Sequence, residues 1–446
     1  MYRHILVLAL IVATLNLASL GQTTVPTGPT AAELERLVTE FVAPNGMKVL
    51  VKRRPGSQTV VADLFLKGGS QNVTANNAGI EALMLDAATE STQKYPLVQL
   101  RRELSRTGSN LSYGMNDDYS VLSLASTRRF FDRSWEVFVD SVVNPSFTPD
   151  DFKRVKDRQV ASLSGEEDTP DSFLQVLQRR VVFAGHPYLN DPRGTLASMS
   201  KLTLDDVKRF RDQMMQGTRL LLVVVGDVDA QDIRAKVDLS LGKLPKGDYR
   251  SVQVPSPSFA APSVSVTARQ FPTNYITGIY SAPSLTSADL YPMRVASSIL
   301  QNRVFIEVRV KRNLSYAPDA FLGSEAANTG GIYVTAVDAN QAIRVMRDEI
   351  TRLQTQEISP EEIATTAQQF LTRYYLGQET NAAQAGELAQ YEIIGGGWRN
   401  SAVMMDRLRA VTPADVARVA NKYMRNLQFV VIGSPQAIDR SVFVGP

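Results

Sequence analysis

The chain carries the same pattern twice. Ser146–Phe152 reads SFTPDDF and Glu357–Ile363 reads EISPEEI, at an offset of 211 residues. Leu202–Met215 (LTLDDVKRFRDQMM) matches Val411–Met424 (VTPADVARVANKYM) at 209, and Leu220–Gly226 (LLLVVVG) matches Leu427–Gly433 (LQFVVIG) at 207. The first pair sets Thr or Ser before Pro and acids, a helix start in which the side-chain oxygen accepts from free backbone N–H groups. Three matched elements, in one order and at nearly one offset, call for a duplicated unit of about 200 residues. Within the first unit, strands are expected at Val49–Lys52 and Thr59–Lys67, and a buried helix at Ala78–Ala88. An amphipathic helix follows at Leu97–Thr107, then a hairpin-like pair at Ser109–Met115 and Asp118–Ala125. Long helices are expected over Arg129–Val142 and Pro149–Ser164. Strands and helices in blocks predict an α+β class: two homologous domains, each an antiparallel sheet with helices packed on one face. Gly247–Pro262 is rich in proline and lacks periodicity, so it reads as the linker. The expected domains are 41–246 and 263–446, joined by 247–262.

At the N-terminus, Arg3 and His4 precede an apolar run from Ile5 to Leu20, with Ser19 and Gly21 before Gln22. This predicts a signal peptide over 1–21 and a flexible leader over 22–40; the competing reading is an uncleaved anchor. No other stretch is apolar enough to span a bilayer. Export, most simply to the periplasm, without a single cysteine leaves the fold to its hydrophobic cores. A net charge of +3 with no block of like charge argues against nucleic acid or an anionic membrane as partner.

Chemistry is constrained further by histidine. The chain holds two, His4 and His186, and the first falls in the signal peptide. Most transition-metal sites and nucleophilic triads need more imidazole or thiolate than that. His186 reads as a loop-packing residue. Gly395-Gly396-Gly397 reads as a helix end, and Asp117-Asp118 and Glu166-Glu167-Asp168 as turn and cap acids.

Several landmarks then converge: Asn45-Gly46, Gly69-Ser70, Gly79, Thr92, DTPDSF at Asp168–Phe173, GHPY at Gly185–Tyr188 and VVVGDVD at Val223–Asp229. With the two-part layout, they resemble the pitrilysin and mitochondrial processing peptidase family, zinc peptidases with an inverted H-x-x-E-H motif on a helix. The resemblance implies a clam-like chamber half. It sets Ala82 and Asp86 where the two histidines belong, Leu85 where the glutamate base belongs, and Ser162 at the third-ligand position. No metal or cofactor is therefore expected in this chain. The second unit keeps EVRVKRNLSY (Glu307–Tyr316), similar to the family's Arg and Tyr seven residues apart, here Arg309 and Tyr316. Asn313 stands where the family has Gly, and it too accepts positive φ. Seven residues are two helical turns, so the pair would share one face of a persisting helix. The resemblance implies that Arg309 and Tyr316 serve, in trans, the substrate carbonyl and oxyanion in a partner's zinc site. The expected function is the non-zinc subunit of an exported heterodimeric metallopeptidase. Its partner would be a homologous HxxEH-containing subunit that holds the zinc, and its substrate an unfolded peptide. The alternative is a non-catalytic peptide-binding or scaffold protein of the same fold.

Overall fold

In the computed structural model, residues 31–356 and 358–445 are described. The predicted signal peptide and the start of the leader lie outside them. Residues 31–40, expected as leader, instead form a short helix, Ala31–Arg36, and the start of strand β1 (Val38–Val42). β1 pairs with β2, so backbone hydrogen bonds order it.

The first sheet contains β1, β2 (Lys48–Arg53), β3 (Thr59–Lys67), β4 (Asn110–Met115), β5 (Tyr119–Thr127) and β6 (Leu220–Gly226), in the order β1-β2-β6-β3-β5-β4. The second contains β7 (Ser263–Ala268), β8 (Asn274–Ser281), β9 (Asp319–Leu322), β10 (Thr329–Ala336) and β11 (Gln428–Gly433), in the order β7-β11-β8-β10-β9. Without β1 the two orders are identical. Each sheet is antiparallel but for one parallel pair, β2 with β6 and β7 with β11. The duplication also shows in the caps. Thr203 and Thr412 each close a capping box with an Asp three residues on, and Thr148 and Ser359 each accept a hydrogen bond from the backbone N–H three residues on.

One face of the first sheet carries helices α1 (Ile80–Ala88), α2 (Phe131–Val143), α3 (Pro149–Ser164) and α5 (Leu204–Met214); helix α4 (Pro170–Val182) leaves this layer. The second sheet carries α6 (Leu290–Val304), α7 (Ala339–Thr355) and α9 (Pro413–Tyr423) on one face, and helix α8 (Asn381–Ile394) leaves in turn. The two departing helices are exchanged. Ala385, Leu388 and Ala389 of α8 pack on Leu50, Val61, Phe65 and Val223 of the first sheet. Phe173 and Leu174 of α4 pack on Val430 and Ile432 of the second. This explains why β6 is buried at every residue: both its faces are covered. Asn381 pins the start of α8, donating to the Thr59 carbonyl at 2.7 Å and accepting from Arg54 at 2.5 Å.

The linker has no regular structure, yet it lies down on the protein. Val254 is buried against Tyr188 and Ala327, and His186 Nε2 lies 2.8 Å from the Pro255 carbonyl. His186 Nδ1 accepts from Tyr188 N–H at 3.1 Å, so this histidine packs the loop, as its sequence context suggests.

Candidate functional site

Helix α1 begins at Ile80, one residue after Gly79, which has φ +88°. A Cβ there would lie 2.9 Å from the Arg193 carbonyl oxygen, so both conformation and space require glycine. All nine residues of α1 are buried, among them the acids Glu81 and Asp86 and the Ala82 and Leu85 positions expected to align with the family's motif. Ala82 and Leu85 are 3 % and 2 % exposed, and Leu85 belongs to the first-half core. Two arginines hold the charges of this helix. Glu81 accepts from Arg219 at 2.5 Å, and both side chains are buried. Asp86 accepts from Arg158 of α3 at 2.5 Å and from Gln159 at 3.4 Å. Arg158 also reaches Glu90 at 3.1 Å, and Arg101 approaches Glu90 at 3.3 Å. Burial first, then the charge of Asp86 and a hydrogen bond to it, push the Tyr113 phenol up to about 12.

Ser162 does not join this cluster. It is exposed on α3, and the side chains of that helix that meet Asp86 are Arg158 and Gln159, one turn earlier. Arg158, Gln159, Glu90 and the Glu81–Arg219 pair were not legible as site residues. The available signal was Glu81 and Asp86 on an otherwise apolar helix, with Glu90 just beyond its end, buried acids that demand cationic partners.

These residues do not fit a zinc ion. At two of the positions expected to align with the motif stand a methyl group and a leucine, and neither is a ligand. The only carboxylate at the motif already neutralises a guanidinium, whose charge would oppose a second cation there. No step of a hydrolysis can be routed through this helix.

Arg309 and Tyr316 come together by a different device from the one expected. Helix α6 widens into a π-helical segment, Phe305–Val310, and then stops. Asn313 has φ +50°, and Leu314 N–H returns to the Val308 carbonyl at 2.9 Å while Asn313 N–H returns to Arg309 at 3.1 Å. This resembles the left-handed C-cap that glycine usually supplies. Tyr316 is therefore off the helix, and the chain reversal brings its ring beneath Arg309, whose guanidinium sits 4.0 Å from the ring centroid. Glu307 braces the turn: Lys311 donates to it at 2.5 Å and Arg312 donates to its other oxygen. Those two hydrogen bonds hold the Glu307 carboxyl down at about 2. Tyr316 is 79 % exposed and is flanked by exposed Phe305, Ile306 and Val310. Among the described residues, neither the Arg309 guanidinium nor the Tyr316 hydroxyl has a hydrogen-bond partner. A fork of N–H donors and a neutral O–H donor are thus presented together on a braced platform.

The Insulinase (Peptidase family M16) domain pattern matches residues 48–180, and the Peptidase M16 inactive domain pattern matches residues 201–370. The chain belongs to peptidase family M16. This M16 chain is 23% identical over 421 residues to a mitochondrial-processing peptidase subunit beta of Blastocladiella emersonii, covering 89% of this chain and 88% of that one. It is also 23% identical over 184 residues to the non-peptidase homolog YmxG of Helicobacter pylori, covering 41% and 43% of the two chains. The fold is that of an M16 inactive domain protein from Pseudomonas fluorescens, with TM-score 0.81 at 18% identity over 89% of this chain and 98% of that one. The match to both M16 domains agrees with the repeated sheet order and with the two-domain α+β layout.

Proposed function

We propose that this M16 chain is the non-zinc subunit of an exported heterodimeric metallopeptidase. In this reading it lends Arg309 and Tyr316 to the active site of a homologous HxxEH-bearing partner and forms half of the peptide-binding chamber. The observation that carries the reading is the exposed Arg309–Tyr316 stack. It is braced by Glu307, presents unused donors and has no reaction to serve within its own chain. When the partner supplies zinc, the metal activates water and polarises the scissile carbonyl. The part of this chain is to donate: the Arg309 guanidinium and the Tyr316 hydroxyl offer hydrogen bonds to the oxygen that gains negative charge. Aimed donors of this kind contribute roughly 2.7–4 kcal/mol each in comparable sites. The exposed Phe305, Ile306 and Val310 would then be covered by the partner or by extended substrate.

Co-expression with an exported HxxEH protein of similar length tests the reading. A one-to-one complex that cuts unfolded peptides, with zinc bound once per pair and neither chain active alone, is the expected result. A chain that binds peptides but raises no partner's turnover would instead favour the scaffold reading, which the erased zinc helix and the likeness to a non-peptidase homologue also support.

A further inference from the structure

Where the exchanged helix α8 crosses the edge of the first sheet, a cavity of about 710 Å³ opens between the two halves. Cavities of this size at domain junctions are where small ligands bind. Its polar groups are unusual. Lys52 projects from β2 on the same face as Leu50, beneath α8. Among the described residues nothing accepts a hydrogen bond from its ammonium, and burial pushes its pKa down. Glu387 faces the same space from α8. Its two oxygens accept from the Tyr374 hydroxyl alone, at 3.0 and 3.1 Å, and burial pushes its carboxyl up. Lys52 and Glu387 feel each other's charge, but among the described residues no direct ion pair joins them, so each has lost water without gaining a hydrogen-bonded charged partner. The apolar part of the wall is built from Leu37, Leu388 and Trp398, and Arg54 and Arg409 also line the cavity.

We propose that this cavity binds a small zwitterion carrying an apolar group, either a free apolar amino acid or a short peptide of apolar residues. The ligand carboxylate meets Lys52, its ammonium meets Glu387, and its side chain lies against Leu37, Leu388 and Trp398. A ligand of this class supplies each buried group with the direct partner it lacks, and its side chain covers the apolar part of the wall. The inference is independent of the peptidase reading: it needs neither a partner subunit nor Arg309 and Tyr316.

The chain has two tryptophans, Trp135 in the first-half core and Trp398 in the cavity wall, so in a Trp135→Phe background the emission of Trp398 reports occupancy. Four probes are titrated into the full chain: leucine, the dipeptide Leu-Leu, N-acetyl-leucine and leucinamide. Leucine or Leu-Leu is expected to give a saturable change, and the tighter of the two identifies the source of the natural ligand. N-acetyl-leucine and leucinamide, each lacking one charge, are expected to bind at least about tenfold more weakly. Lys52→Met and Glu387→Gln should each weaken leucine or Leu-Leu by a similar factor. Calorimetry of the same probes on the unsubstituted chain decides the matter if a variant fails to fold. The proposal is overturned if neither leucine nor Leu-Leu binds saturably. It also fails if N-acetyl-leucine or leucinamide matches the zwitterions, or if a folded Lys52→Met chain binds them unchanged.

Discussion

Replacing Arg219 by Met should make the first half unfold more readily. The Arg219 side chain is wholly buried, and it donates to the Lys67 carbonyl at 2.9 Å and to Glu81 at 2.5 Å. Removing it strands the Glu81 carboxylate inside α1, with its side chain 5% exposed and no other partner for the oxygen that Arg219 served. Breaking a buried pair in this way costs about 3–5 kcal/mol. The pair itself is incompletely satisfied, because Arg219 Nη1 and Glu81 Oε1 have no hydrogen-bond partner. The double change Glu81→Leu with Arg219→Met should therefore recover most of the loss and fall within about 1 kcal/mol of the parent, the usual outcome when an apolar pair replaces a buried ionic one. Urea unfolding, read by far-UV circular dichroism and by Trp135 emission in a Trp398→Phe background, measures both variants. A cost under about 1 kcal/mol for Arg219→Met, or a double variant worse than the single, would refute the reasoning that Arg219 is there to neutralise Glu81.

Two further outcomes follow from the fold. Burial under α8 pushes the Asp63 carboxyl up to about 7, while a hydrogen bond to Ser123 works against the shift. Because this folded pKa lies above the ordinary value of 3.8, the folded chain holds the extra proton; the contribution is fully present below about pH 4 and is lost as pH rises through 7. Asp63→Asn should flatten that slope in thermal melts between pH 5 and 8 and raise the melting temperature at pH 8. Asn313→Val places a β-branched residue at φ +50° and should cost about 1–2 kcal/mol or more, whereas Asn313→Gly should be neutral or mildly stabilising; paired denaturation curves separate the two.

Much of the architecture was legible because it is local. The Thr59–Lys67 strand and the Pro149–Ser164 helix fall at their predicted bounds, since a mostly apolar, partly β-branched run and a Thr-Pro cap are written into consecutive residues. The duplication was legible because capping and strand residues recur at one offset. The helix exchange was not, because an amphipathic face does not say which sheet it covers; α4 and α8 each pack on the sheet of the other half. The expectation that Ala82 and Asp86 align with the family's two histidines and Leu85 with its glutamate base came from the motif. The pairing of Asp86 with Arg158 could not be read, because that partner comes 72 residues later and one turn away from Ser162. The Arg309–Tyr316 pairing was expected from a continuous helix. It arises from a π-helical segment and a left-handed Asn313, and a period of seven does not encode either feature.

The central claim is that the chemistry of this chain lies in Arg309 and Tyr316 and is expressed only in a partner's site. The direct measurement is kcat for peptide cleavage by the complex reconstituted with its HxxEH subunit, comparing the parent with Arg309→Ala and Tyr316→Phe at saturating subunit ratio. The account predicts complexes that assemble normally, with kcat lowered about 10²–10³-fold by loss of either donor. Variants that bind the partner and leave kcat unchanged would contradict it.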